Sequence, residues 1–337
     1  MSRSAQVPVL EAGTAVWSSA RWREQAVAWM DERLAAAGAA RVGEVEQPRV
    51  RAWSTLLTAP TTIGRVWLKA SREATAFEAS LYRILARVSP ESVLAPLATD
   101  EARGWVLLPD GGPTLALAAL DPAAALETIL PHYARLQLAA APHVGELIAA
   151  GVEDMRPEAM PPRFGEAVEM ARAFVSVRGR PGDAEALERV VALREPFRGW
   201  CERLAASPVP HSIDHNDLHE RNILVEPAGE TLRPRFFDWG DAVVAHPFAS
   251  MLVTLDSLRQ RLRRDDHRVA RVRDAYLEVF SDVAPHAELV ATLALACRVA
   301  KVARALTFAR AVAGLGDDGN PALIRGPFEA LRSLVDG

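Results

Sequence analysis

The spacing of hydrophobic and polar positions changes along the chain. Over residues 42–70, apolar and polar residues alternate and β-branched residues are frequent, which predicts three strands in VEQPRVRAW, STLLTAP and GRVWLKA. Turns are expected around Ser54 and at Thr61–Gly64. EATAFEASLYRILARV then places apolar residues on one helical face, and VLAPLATD and GWVLLPDGG predict a hairpin that turns at Glu101–Gly104. This part of the chain is therefore expected to be a β-rich unit with one helix.

Helical spacing dominates on both sides of this unit. We expect Ser18 or Ser19 to cap a helix through ARWREQAVAWMDERLAAAG that ends at Gly38, after a loose lead-in over residues 1–16. The apolar residues of this helix fall near one face and predict packing against another part of the protein: Trp22, Ala26, Trp29, Met30 and Leu34. Beyond Pro122, helical segments are predicted near residues 122–141, 163–176, 183–206, 247–260, 267–281 and 286–314.

Length, charge and cysteine content narrow the class of protein. A chain of 337 residues exceeds the usual size of one compact core, so two lobes are expected. Half of the residues are hydrophobic and the formal net charge is −4, which gives no electrostatic basis for binding nucleic acid. Cys201 and Cys297 have neither metal-ligand spacing nor that of a disulfide framework. The start MSRSAQVPVLEAG lacks the apolar region of a secretory signal peptide, and no uncharged apolar run approaches about 18 residues. We therefore expect a soluble, cytoplasmic protein without membrane contact.

Candidate chemistry is concentrated in residues 211–241, HSIDHNDLHERNILVEPAGETLRPRFFDWGD. The pattern H-x-D-x-x-x-x-N places Asp217 five residues before Asn222, and an apolar run follows. A second apolar run ends at Asp238, and residues 227–229 between the runs favour a turn. A hairpin of two short strands would therefore bring Asn222 and Asp238 side by side.

These three side chains suit a magnesium site with a nearby proton acceptor. Mg²⁺ prefers oxygen ligands and leaves positions free for phosphate oxygens and water, and Asn222 and Asp238 offer such ligands. Asp217, on the loop before the first strand, is placed to accept a proton from an attacking hydroxyl group. The alternative is that Asp217 and Asn222 only cap turns, as these residue types do in many loops.

The histidines of this segment define a different hypothesis. His211, His215 and His219 recur every four residues, and on a helix they would form the zinc-binding face of a hydrolase. Pro208 and Pro210 precede them, and the Asp and Asn residues between them disfavour a helix. We therefore interpret His215 as a support for the loop, and a zinc hydrolase is the least favoured alternative.

At HNDLHERN and FFDWGDA, the sequence resembles the aminoglycoside phosphotransferase and choline kinase-like family, which shares the protein-kinase fold. The resemblance covers most of residues 50–255 and implies an α+β fold with two lobes. It also implies Asp217 as the catalytic base and Asn222 and Asp238 as Mg²⁺ ligands. One departure is His246, which stands where relatives often have an aspartate that supports the catalytic loop.

The resemblance also assigns residues of the β-rich unit. Lys69 matches the family's phosphate-contacting lysine, although a lysine at a strand end can simply extend to solvent. A helix glutamate pairs with this lysine in the kinase arrangement; we expect Glu78, with Glu73 as second choice and a solvated glutamate as the alternative. RAWSTLL contains no G-x-G-x-x-G, so backbone N–H groups around Ser54 are the candidates for contacting phosphate.

A lobe boundary is expected at the Gly-Gly-Pro that follows the last predicted strand. In the family this strand leads into a hinge whose backbone binds the nucleotide base, and the candidates here run from Leu107 and Leu108 to Asp110. The predicted division is a helical extension over residues 1–40, a nucleotide-binding lobe over 41–110 and a helical lobe with the acceptor site over 111–337.

Together these residues predict a small-molecule kinase. ATP or GTP would bind with Mg²⁺ between the lobes, and the γ-phosphoryl group would pass to a hydroxyl group of an amine-bearing or sugar-like acceptor. Asp214, Glu220 and Asp241 add carboxylates near the predicted site, which favours an amine over an acidic acceptor. A nucleotide-binding regulatory protein without turnover is the alternative from another class. The sequence makes no prediction of the oligomeric state.

Overall fold

The computed structural model describes residues 14–228, 231–262, 266–313, 315 and 320–336. The helices are α1 (Ala15–Ser18), α2 (Ala20–Ala36), α3 (Phe77–Val88), α4 (Pro122–Ala140), α5 (Val144–Ala149), α6 (Met160–Arg178), α7 (Asp183–Val191), α8 (Arg194–Ala205), α9 (Met251–Arg261), α10 (Asp266–Leu277), α11 (His286–Val312) and α12 (Pro321–Arg332). The strands are β1 (Glu46–Val50), β2 (Ser54–Thr61), β3 (Gly64–Ser71), β4 (Ala98–Asp100), β5 (Trp105–Pro109), β6 (Glu153–Asp154), β7 (Ser212–Asp214), β8 (Ile223–Ala228), β9 (Thr231–Phe236) and β10 (Val243–Ala245). Most of the predicted lead-in, and Gly229 of the predicted turn, lie outside the described residues.

Five antiparallel strands form the sheet of the smaller lobe, in the order β1-β2-β3-β5-β4. β2 and β3 pair from Ser54 opposite Ser71 to Thr61 opposite Gly64. Gly64 has a φ of 104°, which glycine adopts without steric cost and which allows this tight turn. The predicted strands and the hairpin turns after β2 and β4 are confirmed.

Helix α2 covers one face of this sheet. Ser19 caps the helix, because its side chain accepts a hydrogen bond of 3.2 Å from the Trp22 amide. All five apolar residues predicted to face the protein are buried, in one hydrophobic cluster with sheet residues such as Leu107. Trp29 meets Trp105 edge-on, with 5.6 Å between the ring centroids. The predicted packing of this helix is therefore confirmed.

The larger lobe is mainly helical and is built around α11, which runs for 27 residues. α11 contacts α6, α8, α9 and α12, while α4 packs against α10 and β9. The helix predicted near 183–206 is two helices, α7 and α8. Helices α5 and α12 were not predicted, nor was the small sheet with the order β6-β10-β7. Its strands have two or three residues, which is too short to produce a periodic signal.

The lobes meet at the hairpin of β8 and β9. Val93 forms a bridge to Phe236, and Thr114 forms a bridge to Leu224, so segments on either side of β5 attach to this hairpin. The predicted two-lobed α+β architecture is thus confirmed. None of the helices in the described part of the chain is both long and apolar enough to cross a membrane.

Candidate active site

Lys69 and Glu78 form a buried ion pair between the sheet and helix α3. Lys69 Nζ lies 2.7 Å from Glu78 Oε1 and 2.6 Å from Oε2. The backbone N–H of Trp239 also donates to Glu78 Oε1, at 2.9 Å. Burial opposes the charged lysine, but the carboxylates of Asp238 and Glu78 raise its pKa, so Lys69 is protonated. The structure brings the predicted pair together, whereas the second choice, Glu73, is exposed.

Asp238 lies between this pair and the larger lobe. Its φ of 63° is uncommon for a residue other than glycine, and its N–H donates to the Tyr82 hydroxyl at 3.2 Å. One carboxylate oxygen contacts Lys69, and the other lies 3.9 Å from Arg49 Nη1. Burial favours the neutral acid, but Lys69 and Arg49 hold the pKa of Asp238 well below its usual range, so it is ionised. Backbone strain of this kind is concentrated at functional sites.

The loop after β7 places Asp217 and Asn222 beside Asp238. Asn222 Nδ2 donates to the Asp217 carbonyl at 3.0 Å and lies 3.4 Å from Asp217 Oδ2. Asn222 directly precedes β8, and its carbonyl accepts the Phe237 N–H at 3.2 Å. Because β8 and β9 pair along their length, Asn222 and Asp238 come to the same end of the hairpin. All three side chains line one cavity.

The loop rests on a buried polar network. Asp214 Oδ1 accepts a hydrogen bond of 2.6 Å from the Ser250 hydroxyl and one of 2.7 Å from the Asn216 N–H. Asp214 Oδ2 has no hydrogen-bond partner among the described residues, and burial raises the pKa of Asp214 to about 6. His215 Nε2 donates to the Phe237 carbonyl at 2.9 Å, and burial lowers the pKa of this histidine and keeps it neutral. His215 thus supports the loop.

His246 takes the position at which the resemblance leads one to expect an aspartate. Its Nδ1 accepts the Phe248 N–H at 3.2 Å, and its Nε2 lies 3.4 Å from Ser207 Oγ. Burial lowers the pKa of His246 to about 3, so the neutral imidazole caps the turn ahead of α9. The carboxylate beneath the loop comes from Asp214 instead.

Two of the three carboxylates that suggested an amine-bearing acceptor do not line this cavity. Asp214 is fully buried beneath the loop. Glu220 is 5% exposed and forms an ion pair with Arg261. Asp241 does line the cavity, and burial raises its pKa to about 6. The sequence could not distinguish these positions, because a loop carboxylate carries no local signal of burial.

Arg304 of helix α11 completes the surroundings of Asp217. Its Nη2 donates to Asp217 Oδ1 at 2.7 Å, and its Nη1 donates to the Asn216 carbonyl at 2.7 Å. His219 Nε2 lies 3.4 Å from Asp217 Oδ2. Burial raises the pKa of Asp217, but His219 and Arg304 outweigh it, so the pKa is lowered. No motif marks Arg304, which lies 87 residues after Asp217.

A cavity of about 380 Å³ lies among these residues, between the lobes. Ser54 lines it at the start of β2, and Phe308, Ala311 and Leu323 form its apolar wall on the larger lobe. A second cavity of about 220 Å³ adjoins it and is lined mainly by apolar residues. The two cavities share Arg49, Lys69, Phe237 and Asp238.

The second cavity lies along the outer end of β5. Leu108, Pro109 and Gly111 line it. Leu107 does not, because its side chain points to the opposite face from that of Leu108 and is buried under α2. Its carbonyl also accepts the Leu97 N–H at 2.8 Å. Of the predicted range from Leu107 to Asp110, the last three residues line this cavity and Leu107 does not.

The three histidines with four-residue spacing do not converge. His211 Nε2 lies 3.9 Å from Glu158, His215 is buried behind the loop, and His219 approaches Asp217. Within the described ranges, no group of three or more His, Cys, Asp and Glu side chains is arranged to hold a metal ion. The arrangement gives the zinc hypothesis no support.

Comparison with known proteins identifies the family and the fold. The model of the phosphotransferase enzyme family matches residues 43–289. The structure of a macrolide 2′-phosphotransferase type I is 17% identical, with a TM-score of 0.58, and the match covers 93% of this chain and 97% of that one. The structure of choline kinase from Cryptosporidium parvum Iowa II is 12% identical, with a TM-score of 0.63, and the match covers 93% of this chain and 94% of that one. The structure of a spectinomycin phosphotransferase in complex with ADP and spectinomycin is 12% identical, with a TM-score of 0.50, and the match covers 88% of this chain and 90% of that one. No curated protein sequence matches the chain.

Proposed function

We infer that this chain, which belongs to the phosphotransferase enzyme family, transfers the γ-phosphoryl group of ATP to a hydroxyl group of a small molecule. The observation that carries this proposal is one cavity lined by the Lys69–Glu78 ion pair, by Asn222 and Asp238, and by Asp217. These groups correspond to the three requirements of phosphoryl transfer: a cation for the phosphates, oxygen ligands for Mg²⁺ and a proton acceptor.

The nucleotide base fits the apolar cavity at the end of β5, between Leu94 and Leu224. The Asp110 N–H donates to the Arg65 carbonyl at 3.0 Å, so the alternation of the ladder turns the Pro109 carbonyl away from β3. Pro109 lines this cavity, and we propose that its carbonyl faces the nucleotide base. A carbonyl accepts a hydrogen bond from the amino group of adenine, whereas guanine would present its own oxygen there. Proline has no N–H to offer that oxygen. We therefore propose ATP rather than GTP as the donor.

The phosphate chain would cross from the apolar cavity to the larger one, where Lys69 is common to both. Glu78 holds the ammonium group in place. Trp53 and Ser54 line the same cavity, and we propose that backbone N–H groups around Ser54 contact phosphate. The spectinomycin phosphotransferase of similar fold contains ADP, which supports nucleotide use by this chain.

The donor set of the site fits Mg²⁺. Asn222 and Asp238 provide amide and carboxylate oxygens at one cavity, and Asp238 is ionised. We propose that these two residues hold the ion. When bound, Mg²⁺ neutralises charge that develops on the phosphate oxygens.

Asp217 is proposed to accept the proton of the acceptor hydroxyl. The acceptor oxygen forms a bond to the γ-phosphorus while the bond from that phosphorus to the oxygen bridging the β-phosphate breaks, and ADP leaves with the bonding electron pair. The proton passes to the Asp217 carboxylate, which is ionised before the reaction because its pKa is lowered.

The acceptor is proposed to bind on the larger lobe, against the apolar wall of Phe308, Ala311 and Leu323. Asp241 lines the same cavity, whereas Asp214 and Glu220 do not, so it is the one of the three carboxylates placed to contact an amine. We propose an amine-bearing or sugar-like acceptor on this basis. Residues 41–110 would then bind the nucleotide, and residues 111–337 would carry the acceptor site.

A screen for ADP release tests the proposed function. Wild-type protein is incubated with Mg-ATP or Mg-GTP and a panel of aminoglycosides, amino sugars, choline, neutral sugars and sugar acids, with Asp217→Asn as the matched control. We expect ATP-dependent ADP formation with at least one hydroxyl acceptor, and little with the control. ATP binding without ADP formation from any acceptor would favour the nucleotide-binding regulatory alternative.

A further inference from the structure

Asn216, directly before Asp217, is held on three sides. Its φ of 57° is left-handed, a conformation that needs support in a residue other than glycine. Its N–H donates to Asp214, as described above. Its side-chain Nδ2 donates to Thr307 Oγ1 at 2.7 Å, and its carbonyl accepts from Arg304 Nη1 at 2.7 Å. Two of these three contacts come from helix α11.

Arg304 contacts two neighbouring residues of the loop with one guanidinium group. Nη1 binds the Asn216 carbonyl and Nη2 binds Asp217 Oδ1, both at 2.7 Å. The group is therefore fixed at two points, and it fixes the carboxylate orientation relative to the backbone. Asp217 Oδ2 faces Asn222 Nδ2 and His219 Nε2, each at 3.4 Å. A guanidinium fork suits this geometry because its planar N–H groups can meet two acceptors at once.

We propose that Arg304 is a positioning residue for phosphoryl transfer: from helix α11 it holds Asp217 in the orientation that accepts the acceptor's proton. This inference rests on the proposed function for its catalytic consequence. Arg304 acts through Asp217 and Asn216. Lysine cannot replace it fully, because an ammonium group lacks the planar fork that spans two acceptors.

The same helix face also lines the acceptor side of the cavity. Thr307 and Phe308 follow Arg304 by three and four residues and Ala311 by seven, so all four lie on one face of α11. Phe308 and Ala311 form part of the apolar wall. A bound acceptor would therefore contact the helix that orients Asp217, and one rigid element would align the hydroxyl group with its proton acceptor.

Arg304 is also accessible to a small solute. It lines the main cavity and, on its other side, a groove of about 330 Å³ between α9, α11 and α12. Its side chain is 23% exposed. Truncating Arg304 would therefore leave a site that free guanidinium ion can reach from solvent.

The test compares Arg304→Lys and Arg304→Ala with Arg298→Ala. Arg298 lies on the same helix, and its guanidinium carbon is 3.8 Å from the centroid of the Trp200 ring, away from the cavity. Each protein is assayed for Mg-ATP hydrolysis with water as the acceptor, for Mg-ATP affinity by calorimetry, for Tm, and for amide hydrogen exchange over residues 215–222.

We expect Arg304→Lys to keep the Tm and the Mg-ATP affinity of the wild type while kcat falls about 10- to 100-fold, since small misplacements of a reacting group have effects of this size. Arg304→Ala should lose more, and millimolar guanidinium, but not methylammonium, should restore part of its turnover. Exchange over residues 215–222 should accelerate in both variants. Arg298→Ala should leave kcat and this exchange unchanged.

Three outcomes would overturn the inference. The first is wild-type kcat in Arg304→Lys together with no rescue of Arg304→Ala. The second is a loss of Tm and of nucleotide affinity that accounts for the whole loss of turnover, which would assign Arg304 a structural role. The third is unchanged exchange over residues 215–222 in both variants. If the wild type forms no ADP with water or with any hydroxyl acceptor of the screen, the proposed function fails, and the exchange comparison with Arg298→Ala still decides whether Arg304 holds the loop.

Discussion

The hydroxyl group of Ser250 donates a hydrogen bond of 2.6 Å to the carboxylate of Asp214, and both residues are buried. The same carboxylate oxygen accepts the Asn216 N–H at 2.7 Å, so it supports the loop that carries Asp217 from beneath. Among the described residues, the second oxygen has no partner. A buried carboxylate that is only partly satisfied is costly to ionise, which makes its protonation a determinant of stability.

We expect the protein to lose stability as the pH rises through the pKa of Asp214. Burial raises its pKa to about 6 in the folded state, against 3.8 for an ordinary aspartate, so the folded state binds this proton more tightly. The stabilisation is complete below the pKa of the unfolded state and is lost as the pH rises through the pKa of the folded state. The difference between these two pKa values corresponds to roughly 3 kcal/mol at most. Urea unfolding of wild type and Asp214→Asn between about pH 4 and pH 7 measures this contribution to the free energy of unfolding. A difference in free energy of unfolding that stays constant over this range would contradict the prediction.

Asp217→Asn should retain ATP binding and lose most turnover. Asparagine keeps the size of the side chain and can still accept a hydrogen bond from Arg304, but it cannot take up a proton. General-base catalysis contributes about 10²- to 10⁴-fold, so single-turnover phosphoryl transfer should slow by that order. Asp274→Asn, in which a half-buried ion pair with Arg273 is altered, serves as the control. Unchanged single-turnover kinetics would exclude Asp217 as the base.

Asp238→Asn should abolish the Mg²⁺ dependence of nucleotide binding. The substitution removes the charge of a proposed ligand, whereas an amide at this position still fits beside Lys69. Calorimetric titrations of ATP are compared with Mg²⁺ and with a chelator. The wild type should bind more tightly with Mg²⁺, and the variant should show little difference. An undiminished Mg²⁺ effect in the variant would rule out Asp238 as a ligand.

Lys69→Met should weaken ATP binding and destabilise the protein. The substitution leaves Glu78 buried without its cation, and breaking a buried pair in this way costs about 3–5 kcal/mol. Adding Glu78→Gln should recover part of this stability, because the uncompensated charge is removed, while ATP binding stays weak. The measurements are denaturant unfolding and ATP affinity of the single and double variants. Recovery of ATP affinity in the double variant would argue against a phosphate contact by Lys69.

Asp241→Asn should reduce discrimination between amine-bearing and neutral acceptors. Asp241 is the remaining carboxylate placed to contact an amine, and its attraction for a cationic acceptor should weaken with salt because ions screen charge. The ratio of kcat/KM for an amino sugar to that for the matching neutral sugar is measured at low and moderate salt. We expect the ratio to exceed one in the wild type and to approach one in the variant. An equal ratio in both proteins would show that Asp241 does not select the acceptor.

The sequence by itself determined those features whose signals are local. Strand alternation and turn residues predicted β1 to β5, and helical spacing with a serine cap predicted α2. The H-x-D-x-x-x-x-N pattern and the two apolar runs predicted a hairpin that brings Asn222 and Asp238 together, as the structure has it. Such signals extend over a few residues, because side-chain periodicity and turn geometry follow from backbone conformation alone.

Only the tertiary structure decided which polar groups meet at the loop. Arg304 reaches Asp217 from 87 residues away, and Asp214 lies beneath the loop although Asp217, three residues later, lines the cavity. Leu107 faces α2 while its neighbour Leu108 lines the cavity, because successive residues of β5 point to opposite faces of the sheet. Burial, pairing and pKa depend on which helices pack over a residue, and that packing is a property of the whole chain.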